Sequence, residues 1–346
     1  MQQAQVETAR FRDPAFDHYF IWAIPLIALG AAFLVLAGVI PFEMMLALDL
    51  SVLGYHHVMS TFSRFTFDAE SAAQNRKLLI YAPLLVFPAV LGLAMTFGPW
   101  LIATIYLHWQ WFHYTRQSEG ISKAFGFKTV SAQAGDARWN RALFYMTPIT
   151  CLLMLSHRQP AEFLYMELFT LPVPIELVYA AAAVNIVLFV PWLYRQAMAV
   201  AAGTMNGLHL VYFLSHHGIF LFAYVLMTDI NLGWLAINTW HNMQYIAFVW
   251  VCNVNLHKGG YNPKRPVISW LSQPRRAVIY LAAFFFVAML FYDALGALVN
   301  TLISPANVLL ASIIIYQSIN FHHYIVDSVI WKLRKKTVQA AIGVEH

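Results

Sequence analysis

The sequence predicts an all-α, polytopic transmembrane helix bundle with about ten helices and both termini in the cytoplasm. Of its 346 residues, 60% are hydrophobic and only 11% are charged, whereas soluble domains carry roughly 25% charged residues. Its apolar segments are long enough to cross a bilayer, which takes roughly 20 residues of helix. The basic residues also fall into the stretches between apolar segments in a pattern that fits a multi-pass membrane protein.

Ten apolar segments can be recognised along the chain. Very short turns join several of them, and proline stands in such turns at Pro41 and Pro305. Proline suits the start of a helix because its missing N–H would have no helical partner there. These turns therefore predict antiparallel helix hairpins. The segments span about 19–40, 42–62, 78–97, 99–116, 142–157, 176–194, 204–227, 230–254, 277–300 and 305–330.

The basic residues set the expected topology. Loops rich in lysine and arginine stay on the cytoplasmic side of a membrane. With ten crossings and a cytoplasmic N-terminus, all 21 basic residues except Arg158 lie on that side. The net charge of +5 is then explained by topology and by contact with anionic lipid head groups. We therefore expect a bacterial-type inner (plasma) membrane protein whose partner is the lipid bilayer, and no nucleic-acid partner.

The polar stretches are too short to form a soluble domain, so residues 1–346 are interpreted as one transmembrane domain. Its cytoplasmic parts are an N-terminal segment at 1–18, a loop at 117–141 and a tail at 331–346. The two cysteines, Cys151 and Cys252, lie in different apolar segments without any CxxC spacing. A disulfide framework and an iron–sulfur cluster are therefore not expected.

Histidines are concentrated in the predicted helices. Ten of the 14 lie there, and five helices place them between the midplane and the cytoplasmic face. Polar residues at membrane depth are costly, so they usually face the protein interior and serve function. The ten are His56, His57, His108, His113, His209, His216, His217, His241, His322 and His323.

Neutral imidazole is a good ligand for iron, copper or zinc. Helix bundles can hold one or two such ions with inward-facing side chains from several helices. The predicted metal ligands are His57, His108, His216, His217, His241, His322 and His323, followed by His56 and His113. We expect iron, with two ions more favoured than one, while copper or zinc would use the same ligands.

Three further residues are predicted to act beside the metal. Asp327 lies one helical turn after His323, where a carboxylate can accept a hydrogen bond from a ligating imidazole. Tyr324 adjoins the same histidine, and Asn242 adjoins His241 within a polar and aromatic cluster. Asp327, Tyr324 and Asn242 are therefore the candidate catalytic residues.

These residues resemble, at class level, the histidine-rich integral-membrane metal oxygenases. That class includes fatty-acid desaturases, alkane and sterol hydroxylases, carotenoid hydroxylases and ketolases, and bacterial membrane carotene dioxygenases. The resemblance implies non-haem iron and an apolar substrate. The HxxxH and HxxHH motifs of the desaturases and hydroxylases do not occur, since this chain has HH at 56–57, 216–217 and 322–323. No residue role is therefore carried over from a particular family.

The favoured function is a membrane oxidoreductase or oxygenase that activates O₂ and oxidises a hydrophobic lipid or isoprenoid. The sequence has no GxGxxG nucleotide motif, so any electrons would come from a separate reductase. Two alternatives stay open. A haem-binding electron-transfer protein would use paired histidines across helices, although no helix carries the spacing of 13–14 residues. A metal-ion transporter or assembly factor would usually show more intramembrane carboxylates or broken helices.

Overall fold

A computed structural model describes residues 10–64, 67, 69–128, 137–302 and 308–343. About 82% of the structure is helical, which confirms the all-α class. Helices α1 to α13 span Pro14–Leu36, 42–62, Ala69–Gln74, Lys77–Phe97, Pro99–Lys128, Ala137–Arg158, Ile175–Ala201, Gly207–Leu226, Ile230–Leu256, Pro266–Leu271, Ala277–Leu302, Val308–Ile330 and Lys336–Ala341.

The other regular elements are short. A 3₁₀ turn at Pro274–Arg276 precedes α11, and two-residue strands β1 and β2 span Glu162–Phe163 and Met166–Glu167. Wider π-helical turns occur within α1, α2, α4 and α8, and the one in α2 runs from Asp49 to Gly54. Such turns occur frequently at functional sites, and the one in α2 is followed directly by the region that carries His56 and His57.

Among the described residues, five helical stretches are long and apolar enough to cross a membrane, which is consistent with a membrane protein. They are Pro14–Leu36, Lys77–Phe97, Ile175–Ala201, Gly207–Leu226 and Pro274–Leu298. The surfaces of these five stretches are rich in exposed aliphatic side chains, as at Leu85 and Val278. Each of the ten apolar segments predicted from the sequence overlaps a helix of the structure.

The predicted cytoplasmic loop at 117–141 differs from the structure. Helix α5 continues as far as Lys128, and α6 already begins at Ala137. Ion pairs accompany this polar part of α5, because Glu119 binds Lys123 at 2.6 Å, one turn away, and Arg141 at 2.8 Å. Hydropathy detects the apolar part of a helix and not its polar continuation, so the segment was predicted too short. Residues 129–136 of this loop, and the predicted turn at 304–305, lie outside the described residues.

The chain folds into two compact units, which are described separately. Unit 1 comprises Met1–Val39, His108–Phe163 and Phe169–His241. Within it α6 packs against α7 and α8, around a core of Leu143, Phe144, Trp192 and Phe213. The single transmembrane domain expected from the sequence stays a prediction.

Unit 2 comprises Ile40–Leu107, Leu164–Leu168 and Asn242–His346. Helix α12 packs against α4 and α11, and the last part of α2 packs against α11 and α12. The core there contains Val58, Tyr292, Ile315 and Ile319. This packing fixes the mutual position of α2 and α12, and each of these two helices carries a pair of adjacent histidines.

Candidate metal centre

Two histidines of unit 2 meet in the protein interior. The Nε2 atoms of His57 on α2 and His323 on α12 lie 2.7 Å apart, and the ring planes are inclined by 78°. Both side chains are almost fully buried, with exposed fractions of 3% for His57 and 0% for His323. Their ring nitrogens are close enough together to be ligands of one metal ion.

This spacing fits two ligands of a single metal ion. Metal–imidazole bonds are about 2.0–2.1 Å long, so two nitrogens at right angles on one ion lie roughly 3 Å apart. The 2.7 Å between His57 and His323 is close to that value. A metal ion there would replace the proton that the two nitrogens must otherwise share. Neutral imidazole is also the form that binds metals, and burial favours the neutral form.

A hydrogen-bond chain fixes the orientation of the His323 ring. Its Nδ1 lies 2.9 Å from the hydroxyl of Thr61, and that hydroxyl lies 3.2 Å from Oδ1 of Asp327. A chain in which His323 Nδ1–H donates to Thr61 and Thr61 donates to Asp327 leaves Nε2 with its lone pair directed at His57. Partners of this kind hold a metal-binding imidazole in the correct tautomer and orientation.

Aromatic side chains complete this network. The Tyr245 hydroxyl donates to Oδ1 of Asp327 at 2.7 Å and accepts from the indole N–H of Trp331 at 2.9 Å. The Tyr245 ring also lies against the imidazole of His57, with 4.4 Å between ring centroids. Asp327 is thus held by two hydroxyl groups, and its role beside a metal-bound His323 stays a prediction.

Unit 1 contains a second histidine pair. The rings of His113 on α5 and His241 on α9 lie 4.9 Å apart in an edge-to-face arrangement. The exposed fractions of these side chains are 6% and 1%. The backbone carbonyl of His241 accepts a hydrogen bond from the side-chain amide of Gln117 at 3.1 Å. This pair therefore joins two helices of unit 1 through buried polar groups.

A buried tyrosine supports the His241 ring. The Tyr114 ring lies against His241 at a centroid distance of 4.0 Å. Its hydroxyl donates to the side-chain oxygen of Asn238 and accepts from the side-chain amide of Gln110. Because all three partners are buried, the position of Tyr114 is well determined, and with it one face of the His241 imidazole.

The structure places the adjacent pair His216 and His217 among phenylalanines of unit 1. His216 Nε2 donates to the carbonyl of Phe144 at 3.1 Å, and His217 Nδ1 lies 3.0 Å from the hydroxyl of Thr147. His217 also contacts the rings of Phe189 and Phe213. These contacts account for one nitrogen of each ring through ordinary helix–helix hydrogen bonds.

The remaining predicted ligands are His322, His56 and His108, and each has different neighbours. His322 Nε2 donates to the carbonyl of Leu78 at 2.7 Å, so this nitrogen carries a proton and is not available to a metal. His56 is buried with no hydrogen bond to Nε2 among the described residues. His108 is half-buried on α5.

The remaining predicted catalytic residues are less closely tied to the histidine pairs. Tyr324 is buried on α12 and its ring lies 5.8 Å from that of His323, its neighbour in the chain. Asn242 is buried in unit 2, and among the described residues its side-chain N–H₂ group has no hydrogen-bond partner.

Three residues of the network were absent from the predicted site: Thr61, Tyr245 and Trp331. The sequence spacing could have identified one of them: Thr61 follows His57 by four residues, just as Asp327 follows His323. Residues four apart share a helix face. Tyr245 and Trp331 carry no comparable signal, since aromatic residues are common throughout the chain.

Comparison with protein-family models, with characterised proteins and with solved structures gave no match for this chain.

Proposed function

We propose that this protein is a membrane-embedded, metal-dependent oxidoreductase that uses iron held by histidines to activate O₂ and oxidise a hydrophobic lipid or isoprenoid. One observation carries the proposal. His57 and His323 direct two buried Nε2 atoms at each other over 2.7 Å, and the far side of the His323 ring is held by Thr61 and Asp327. For His323, this is the arrangement typical of a histidine that binds a metal.

The residues of unit 2 would have different roles at this metal centre. Iron bound by the imidazoles would supply the redox chemistry that O₂ activation needs. Thr61 and Asp327 hold the proton on Nδ1 of His323 and so keep Nε2 unprotonated. Tyr245 donates a hydrogen bond to Asp327, and Trp331 donates one to the Tyr245 hydroxyl, so both would help to hold the carboxylate in place.

The second pair, His113 and His241, is the candidate for the second iron. Both of its side chains are also buried, and a fixed tyrosine lies against one ring. Each unit then supplies one histidine pair, in keeping with a protein that binds two metal ions. Copper or zinc would be accepted by the same nitrogens, so the metal is identified by elemental analysis.

For the membrane topology we propose ten crossings with both termini in the cytoplasm of a bacterial-type inner membrane. The overlap of every predicted segment with a helix supports this, as does the distribution of all basic residues except Arg158. A reporter protein that is active only in the cytoplasm, fused after His346, tests it. The fusion should be active, and inactivity together with activity of an exported reporter at the same position would contradict the topology.

Oxygen consumption tests the proposed reaction. The purified protein in lipid nanodiscs is supplied with iron, a chemical reductant and a lipid extract, and both O₂ uptake and oxidised lipid products are measured. We expect uptake that disappears in His323→Ala and persists in His209→Ala, a control that removes an equally buried histidine bonded to Ser122. Loss in both variants, or no uptake by the wild type, would contradict the reaction.

The visible spectrum of the same preparation separates the proposal from its main rival. A non-haem site gives no Soret band, and electrons would reach it from a separate reductase. An intense Soret band that is lost in His323→Ala would instead identify a haem protein. Transport of metal ions into sealed vesicles without O₂ uptake would identify a transporter.

A further inference from the structure

A basic cavity of about 500 Å³ lies in unit 2 beside the network of His323. It is formed where α2, α9 and α12 end, together with the short helices α3, α10 and α13. Four of its lining residues are cationic: Arg64, Arg265, Lys335 and Lys336. None of the described lining residues is acidic. A cavity with this charge attracts an anion.

Arg64 is the inner cation of this cavity. Its guanidinium lies 5.0 Å over the ring of Trp331 and donates one long hydrogen bond of 3.4 Å to Asn253. Asn253 is itself fixed, since it donates to Ser63 at 2.9 Å and to Tyr280 at 2.8 Å. A guanidinium has five N–H donors, so Arg64 is positioned with donors to spare. Within the described part of the chain, no carboxylate forms an ion pair with Arg64.

The charge and size of the cavity indicate which anion fits. A guanidinium binds phosphate oxygens through two parallel hydrogen bonds, while lysines bind phosphate as point charges. Four cations around one cavity balance the two or three negative charges of a diphosphate better than the single charge of a carboxylate. Basic pockets at the cytoplasmic ends of transmembrane helices are also typical binding sites for phosphate head groups.

The cavity is connected to the histidine pair through two aromatic residues. Trp331 stacks on Arg64 on one side and donates to the Tyr245 hydroxyl on the other, and Tyr245 contacts His57 and Asp327. Two aromatic side chains, Trp331 and Tyr245, would therefore separate a phosphate group beside Arg64 from the candidate metal site. The apolar lining residues Leu256, Ile268 and Ile330 offer contact to a hydrocarbon chain.

We propose that this cavity binds the phosphate or diphosphate head group of an amphiphilic substrate whose apolar chain is oxidised at the histidine site. The assignment to a substrate rests on the proposed function, whereas binding of phosphate in the cavity does not. The ligand class is a phosphate group on a long hydrocarbon chain, and the cations around Arg64 recognise the head group.

Calorimetric titration of the detergent-solubilised full-length protein tests this with three probes: farnesyl diphosphate, farnesol and inorganic diphosphate. We expect farnesyl diphosphate to bind about tenfold or more tightly than either other probe, because only it fills both the charged and the apolar parts of the cavity. Arg64→Gln should weaken farnesyl diphosphate binding by about tenfold or more and leave farnesol binding unchanged. Arg275→Gln, the same change at an exposed arginine outside the cavity, is the matched control.

The outcomes are distinct. Equal binding of farnesyl diphosphate and farnesol, or equal behaviour of Arg64→Gln and Arg275→Gln, would overturn the site. Inorganic diphosphate binding as tightly as farnesyl diphosphate would overturn the amphiphile and identify a soluble phosphate compound. If Arg64→Gln does not fold, Lys336→Gln at the exposed rim replaces it, with the same expected direction. Metal content is measured in parallel, so that phosphate binding by a metal-free protein would reject the oxidoreductase and retain the phosphate site.

Discussion

The Nε2 atoms of His57 and His323 lie 2.7 Å apart in unit 2, although 266 positions separate the two residues in the chain. Two neutral imidazoles at this distance share one proton, or they share one metal ion. The other ring nitrogen of His323, Nδ1, is hydrogen-bonded to Thr61. A metal ion would therefore bind His323 through Nε2, between the two rings. The predictions below follow from this pair and from the packing around it.

Removing the Thr61 hydroxyl should weaken metal binding. Thr61→Val keeps the shape of the side chain but takes the acceptor from Nδ1 of His323 and one donor from Asp327. Loss of such a partner typically costs 10- to 100-fold in metal affinity, and we expect about that loss in competition with a chelator. Thr147→Val makes the same change at a hydroxyl bonded to His217 in unit 1 and should leave the affinity of the His57–His323 site unchanged. Equal effects of both substitutions would argue against this role for Thr61.

Gly233→Ala should destabilise unit 1. A Cβ atom at Gly233 on α9 would overlap the backbone carbonyl of Ala223, which lies in the π-helical turn of α8. Neither backbone can yield easily, so we expect a loss of at least about 1–3 kcal/mol, seen as a lower thermal midpoint in detergent. Gly218→Ala is the matched control, because a Cβ there meets open space. A midpoint for Gly233→Ala equal to that of the control would contradict the close approach of the two helices.

Stability should fall in acid partly through His257, which follows the end of α9. Burial lowers the pKa of His257, and the nearby charges of Arg265 and Arg64 lower it further. Folding therefore favours the neutral ring. This contribution is present above the ordinary pKa of about 6.5 and is lost as the pH falls below it. His257→Gln should accordingly lose less of its thermal midpoint than the wild type between pH 8 and pH 5, and identical pH profiles would exclude His257 as a contributor.

The sequence predicted the apolar helices better than it predicted the polar segments that adjoin them. Hydropathy located the long helices of the described residues because their exposed faces carry apolar side chains, as along α4 and α7. It did not find the polar continuation of α5 from Gln117 to Lys128, where ion pairs such as Glu119–Lys123 accompany the helix. An apolar helix face is visible in the amino-acid composition, whereas stabilisation by pairs of polar residues is not.

The sequence predicted the residue types of the candidate site, but it did not predict which histidines meet each other. Depth along each helix can be read from the sequence, and it placed His57 and His323 among the expected ligands. Rotation about the helix axis depends on tertiary packing. Adjacent residues point about 100° apart on a helix, so His322 turns to the Leu78 carbonyl while its neighbour His323 meets His57. Tyr245 comes from α9, and Trp331 directly follows the end of α12, so their contacts with Asp327 and with each other could be identified only from the structure.

The central claim is that His57 and His323 hold a metal ion, and metal content tests it most directly. The wild type, His57→Ala, His323→Ala and the control His209→Ala are purified under identical conditions, and bound iron, copper and zinc are measured per folded chain. The claim predicts bound metal in the wild type and in His209→Ala, and the loss of one equivalent in each of the other two variants. Metal content that is unchanged in His57→Ala and His323→Ala, in protein that remains folded, would contradict it.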